Sequence, residues 1–174
     1  MASSKAQRED LIDRLGRAAY ITTFVASNRL TDEVEQLCRA EGISHAQYTA
    51  LWVLCLSEAP DGLPMGGLVD GLLHRKADAT RLVNILVEGG YVTRAPTAGD
   101  RRVVLVKPTK AGQQLFERLT REIKALHRRQ WAALDTDELR QLIGLLNKAL
   151  WSGGPAPTAA SADAAPTTRP SGTP

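Results

Sequence analysis

Residues 91–112 read Tyr91-Val92-Thr93-Arg94-Ala95-Pro96-Thr97-Ala98-Gly99-Asp100-Arg101-Arg102-Val103-Val104-Leu105-Val106-Lys107-Pro108-Thr109-Lys110-Ala111-Gly112. Two β-prone runs, 91–94 and 102–106, flank a turn-forming stretch that ends in charge, which predicts a hairpin with a basic tip. Just upstream, Gly89-Gly90 stops a helix expected from about Arg75 to Glu88. Stepping about 100° per residue puts Ala79, Leu82, Val83 and Leu86 on one face. His74, Ala77, Arg81, Asn84 and Glu88 fall opposite, with Asp78 near them. One stripe packs and the other can touch something polar. Before that, Leu63-Pro64 suits a helix start, with Leu68, Leu72 and Leu73 as its apolar side. Gly66, Gly67 and Gly71 weaken this helix, so it depends on tertiary packing.

Short helix, turn, polar-faced helix and basic hairpin, in that order, is the layout of a winged helix-turn-helix. The second helix fits a DNA major groove, about 12 Å wide, and a hairpin tip can follow phosphates into the minor groove. Charge agrees with this. Residues 1–73 carry six basic and ten acidic side chains, whereas residues 74–110 carry eight basic and three acidic, a local +5 against a whole-chain net of +3. A cationic window of this kind supplies phosphate attraction.

Outward from the window, proline marks the layout. Of nine prolines five follow residue 151, and the runs 1–59 and 109–154 contain none. Both runs read as helices. Leu11, Leu15, Ala18, Thr22 and Val25 share one helical face from about Arg8, and Leu30, Val34 and Leu37 continue it. Thr31-Asp32-Glu33 either restarts the helix or is a polar turn within it, and Glu41-Gly42 stops it. Ser44 caps a helix from Ala46 to about Ser57, whose segment 51–56 is apolar almost all round and therefore buried. Pro108-Thr109 opens a long helix with Leu115, Leu119, Ile123 and Leu126 on one face. Asp135-x-x-Glu138 resembles a capping box ahead of Leu139, Leu142, Ile143, Leu146 and Leu150. Residues 152–174 hold no large apolar side chain other than proline, so they are expected to be disordered.

The expected organisation is a mainly α fold with a small β-hairpin wing. A flexible N-terminus covers 1–7, a helical dimerisation region 8–45 with 109–151, a winged helix-turn-helix lobe 46–108, and a disordered Ala/Pro/Thr tail 152–174. No apolar run approaches the roughly 18–20 residues of a membrane span, and Met1 to Asp10 lacks a signal-peptide core. Cys38 and Cys55 have no CxxC spacing, which fits a reducing cytoplasm and no disulfide scaffold. His45, His74 and His127 show no metal-ligand spacing, so no metal or cofactor is expected. Phosphate-loop, GxSxG and HExxH motifs are absent, which argues against an enzyme.

The stretch resembles the MarR family of bacterial transcription regulators. The carrying residues are Leu68 and Leu72, then Thr80-Arg81-Leu82-Val83 with Leu86, then Gly90-Tyr91-Val92. The most specific segment is Asp100-Arg101-Arg102 through Thr109-Lys110-Ala111-Gly112, which matches the family pattern Asp-x-Arg, strand, Leu-Thr-x-x-Gly, with Pro108 in place of Leu. The resemblance spans roughly residues 10–150. It implies a homodimer whose first and last helices interlock, double-stranded DNA as partner and no membrane. It further implies a pseudo-palindromic operator with half-sites about one helical turn apart. Arg102 would be the minor-groove arginine, Asp100 its orienting partner, and Arg101 a phosphate or groove contact.

Other positions keep two readings. Arg75 and Lys76 are phosphate contacts or surface residues at a helix start. Thr80 and Arg81 lie at family positions that face DNA, and Asp78 accepts from a cytosine amino group or favours the helix N-terminus, the second being preferred. Arg94 is a strand-surface residue or a phosphate contact. The family's use of small aromatic or phenolic anions as effectors makes Tyr20, Phe24, Tyr48 and Trp52, with Arg17 and His45, candidates for such a pocket. Ordinary packing is the simpler reading of each. Two rival functions remain: a winged helix that binds protein, and a thiol-based redox regulator acting through Cys38, beside Arg39.

Overall fold

The first proline-free run forms one unbroken helix, α1 (Ala2–Ala40), in a computed structural model that describes residues 2–59, 61–72, 79–97 and 103–150. The helix starts at Ala2, so no break precedes Arg8. Residues 2–7 contain no Gly or Pro, and Lys5 reaches Glu9 one turn on at 3.9 Å. It also runs straight through Thr31-Asp32-Glu33, which settles that segment as polar surface within the helix.

Helix α2 (His45–Leu56) begins with a capping box. The Ser44 hydroxyl accepts from Gln47 N at 3.2 Å, and Ser44 N donates to Gln47 Oε1 at 2.6 Å. A two-residue strand, β1 (Leu63–Pro64), leads into α3 (Met65–Gly71). This third strand was not expected. Two residues carry no periodicity, and Pro64 is tolerated there because β1 is an edge strand. Helix α4 (Ala79–Glu88) ends in a Schellman turn: Tyr91 N donates to Leu86 O at 2.8 Å and Gly90 N to Val87 O at 2.9 Å. Gly90 has φ +72°, which glycine adopts without strain.

Strands β2 (Val92–Pro96) and β3 (Val104–Pro108) pair antiparallel, Val92 opposite Pro108 and Pro96 opposite Val104, giving the order β1-β3-β2. Pro108 thus closes a strand, and Thr109 caps α5 (Lys110–Gln130). At α6 (Thr136–Leu150), Asp135 N donates to Glu138 Oε2 at 2.9 Å and Glu138 N to Asp135 Oδ1 at 2.9 Å, so the expected capping box forms.

One core joins these elements. Leu51 of α2, Leu68 of α3, Val83 and Leu86 of α4, Val92 and Val106 of the sheet, and Leu115 and Leu119 of α5 are fully buried. Only the C-terminal quarter of α1 enters it, through Val34 and Cys38. Residues 5–29 of α1 are exposed on every side, and α6 buries no residue. Among the described residues no helix is long and apolar enough to cross a membrane.

Candidate nucleic-acid interface and ligand cleft

Helix α4 has the two faces that its sequence implies. Ala79, Val83 and Leu86 are buried, while Thr80, Arg81, Asn84 and Glu88 are exposed. The packed stripe presses α4 against α2, α3 and β2, so its polar stripe faces outward beside the hairpin. Of the expected DNA contacts, Thr80, Arg81 and Arg94 are described. Arg75, Lys76, Asp78, Asp100, Arg101 and Arg102 lie outside the described residues, as does the tail from residue 151.

Arg94 does not stand apart on the strand surface. Val92 is buried, and residues two apart in a strand share a face, so Arg94 points back at α4. Its guanidinium donates to Asn84 Oδ1 at 2.5 Å and to the Thr80 carbonyl at 3.3 Å. The root of the wing is thereby tied to the exposed helix face.

The segment after the wing has an equally local cause. Thr109 Oγ1 donates to Gly90 O at 2.7 Å and accepts from Gly112 N at 3.1 Å, while Thr109 N donates to Tyr91 O at 2.9 Å. A Thr-x-x-Gly sequence therefore caps α5 and fastens it to the turn that ends α4. The glycine is needed because helix and turn backbones touch there.

A second feature is a cleft of about 300 Å³ where α1, α2 and α5 meet, lined by Leu30, Val34, His45, Tyr48, Trp52 and His127 among others. Three of the six expected pocket residues, His45, Tyr48 and Trp52, come together here. Tyr48 is wall as much as binding group, because it stacks on Phe116 at 6.1 Å and its hydroxyl meets Thr120 Oγ1 at 3.1 Å. Burial pushes the Tyr48 hydroxyl up from its ordinary value, against the opposing pull of the Thr120 hydrogen bond, so it stays protonated.

Arg17, Tyr20 and Phe24 do not join this cleft within one chain. Tyr20 is 69% and Phe24 55% exposed, and they stack on each other at 6.2 Å. Because α1 is continuous, Tyr20 and Phe24 lie roughly 15 and 9 Å along its axis from Leu30, the first residue of α1 to line the cleft. His127 and Ile123 were missed as lining residues; the signal available was that both sit on the apolar side of α5, facing α1 and α2.

The thiols reverse their expected order. Cys38 is fully buried, and Cys55, expected to be buried, is only partly so. Burial, with a smaller push from Glu35, raises the Cys38 thiol to about 11, and burial with Glu117 does the same for Cys55. The neighbouring Arg39 does not activate Cys38 because its Nε donates to Glu35 Oε1 at 2.8 Å.

Comparison with known proteins agrees with this geometry. The MarR family model matches residues 41–103. The transcriptional regulator PrsX of Escherichia coli is 29% identical over 125 residues, 72% of this chain and 74% of the relative. A MarR variant from E. coli complexed with operator DNA is 26% identical, with a TM-score of 0.62 over 78% of this chain and 93% of its own. CouR from Rhodococcus jostii RHA1, bound to p-coumaroyl-CoA, shares the fold at 20% identity and a TM-score of 0.61, covering 80% of this chain and 95% of its own. With its polar-faced helix, hairpin and Thr-x-x-Gly fastening in place, residues 41–103 match the MarR family, and the chain is similar over most of its length to transcription regulators of winged-helix fold.

Proposed function

We propose that the protein is a homodimeric, ligand-responsive repressor that occludes a promoter by binding a pseudo-palindromic operator. The observation that carries this reading is the exposed Thr80-Arg81-Asn84 stripe of α4, turned outward beside the β2–β3 hairpin. In this reading α4 enters the major groove, Arg81 and Thr80 contact DNA, and Arg75, Lys76 and Arg101 neutralise phosphates. Asp78 favours the helix N-terminus, and Arg102, oriented by Asp100, enters the minor groove. The lobe 46–108 is carried on a stem built from 8–45 and 109–151. Apolar side chains that one chain leaves uncovered on α1 and α6 favour pairing of two stems.

The cleft lies between stem and lobe. Its mixture of Trp52, Tyr48 and apolar walls with His45 and His127 suits a small aromatic anion. The aromatic acyl ligand of CouR supports that class. A ligand there acts by binding one stem–lobe angle better than another, which lowers DNA affinity by the difference.

The test is anisotropy on a duplex recovered from genomic binding sites. Affinity should fall steeply between 50 and 200 mM salt, roughly 10³-fold or more for six phosphate contacts. Arg102→Ala should abolish tight binding with the dimer intact. Salt-independent binding would remove the phosphate model, and an unaffected Arg102→Ala variant would remove the wing from it. Aromatic carboxylates that quench tryptophan fluorescence should release the duplex, and Trp52→Ala should abolish both effects.

A further inference from the structure

We infer that Arg94 is a positioning residue that sets what Asn84 offers to DNA. It acts through Asn84 and is not itself a phosphate contact. This rests on the reading of α4 as the helix that enters the major groove.

The chemistry follows from donors and acceptors. Arginine has five N–H donors in a planar fork and no acceptor. The Asn84 atom that faces Arg94 at 2.5 Å is therefore the oxygen, Oδ1. The second arm of the fork holds the Thr80 carbonyl at 3.3 Å. Thr80 and Asn84 are four residues apart on one face of α4, so a planar group bridges both without rearrangement. Arg94 lies opposite Val106 in the middle of the β2–β3 pairing, so its backbone is fixed as well.

A consequence for recognition follows. With its oxygen held by a cation, Asn84 offers DNA its amide NH2 donors. An asparagine reading adenine needs both ends, Oδ1 accepting from N6 and Nδ2 donating to N7. Arg94 occupies only one of the two lone pairs of that oxygen, so it does not close this mode; it fixes which way the amide is turned. Guanine N7 and O6, thymine O4 and adenine N7 are all acceptors for the NH2 end. The pair thus holds the Asn84 amide in one orientation at the base edge it meets. The tie also joins the wing root to the reading helix, so the two move as one body on the duplex.

The experiment is selection from a randomised duplex pool, followed by affinity and salt titration on the selected sequence. Wild-type protein is expected to enrich one base at the position of each half-site that Asn84 meets. Asn84→Ala should erase the preference at that position alone and weaken binding about tenfold. Arg94→Ala should erase it at the same position with a similar loss, and the double variant should be no worse than either single one. The slope of log K against log salt should not change. Arg94→Lys should behave as Arg94→Ala, because lysine lacks the planar fork whose two arms reach both acceptors, whereas a phosphate contact would be largely rescued by lysine. Asn84→Asp keeps the acceptor for Arg94, keeps the fold and should still lose the preference.

A salt slope reduced by about one per protomer in Arg94→Ala, rescue by lysine, or additive losses would each overturn the inference while leaving the DNA-reading helix intact. A pool from which wild-type protein enriches nothing would remove the reading of α4 and this inference with it.

Discussion

A Cβ placed on Gly112 would stand 2.0 Å from the carbonyl oxygen of Tyr91, so the first turn of α5 rests directly on the backbone that ends α4. Helix propensity alone would favour alanine there by about 1 kcal/mol. The clash outweighs it, because what must move is backbone locked by the Thr109 bonds to Gly90 and Tyr91. Gly112→Ala should therefore destabilise the protein by about 2 kcal/mol or more in urea melts. Gly66→Ala in α3, where a Cβ meets nothing within 4 Å, should hold or gain stability. Equal stability of wild type and Gly112→Ala would mean that the two backbones are not in contact.

That contact also shows what was legible in the sequence. Gly112 stands out as part of a spaced pattern, and the buried and exposed faces of α4 follow from a 3.6-residue period. Capping at Ser44 and Asp135 is readable because the two partners lie three residues apart. Features made by distant partners were not legible. The two residues of β1 have no period, and the Arg94–Asn84 bond joins a strand to a helix through side chains that each look like plain surface. Residue type alone groups the aromatic residues of α1 with Tyr48 and Trp52. The uninterrupted length of the helix, which composition does not reveal, separates them.

Cys38 and Cys55 carry a prediction about reactivity. Both thiols sit at about 11, raised first by burial, so almost none is thiolate at pH 8. Because the folded values lie above the ordinary 9, this contribution to stability is complete below pH 9 and is lost as pH rises towards 11. At pH 8 a chromogenic disulfide should label the native protein at least tenfold more slowly than the urea-unfolded chain, with Cys38 the slower. Rapid labelling of native Cys38 would restore the redox reading that its burial now disfavours.

Glu35 carries a prediction with the opposite sign. Burial pulls its carboxyl up, but the His45 N–H at 2.7 Å and the Arg39 guanidinium outweigh burial and hold it below its ordinary 4.5. A group whose value is depressed by folding stabilises above its unfolded value and stops doing so as pH falls through the folded one. The joint between α1 and α2 should therefore weaken below about pH 4.5. Glu35→Gln should cost about 1 kcal/mol at pH 7 and flatten part of the acid limb of the stability curve. An unchanged acid limb would show that Glu35 is ionised no more readily in the fold than in the open chain.

The stem gives the last prediction. Leu11, Leu15, Phe24 and Val25 on α1 and Ile143, Leu145 and Leu150 on α6 are all more than half exposed in one chain. A helix with so little to pack against is marginal in water, however regular its sequence. Covering each large apolar side chain contributes about 1.5–3 kcal/mol, so a second stem is the natural source of the missing stability. Wild-type protein should sediment as a dimer. Leu15→Glu with Ile143→Glu should shift it to single chains and remove helical signal equal to much of α1 and α6. The lobe has its own buried core at Leu51, Leu68, Val83, Leu86 and Val106, so it should stay folded and retain weak, salt-sensitive duplex binding. A wild-type protein that sediments as a single chain with its full helical signal would show that α1 and α6 are stable without a partner, and the dimeric stem would fall.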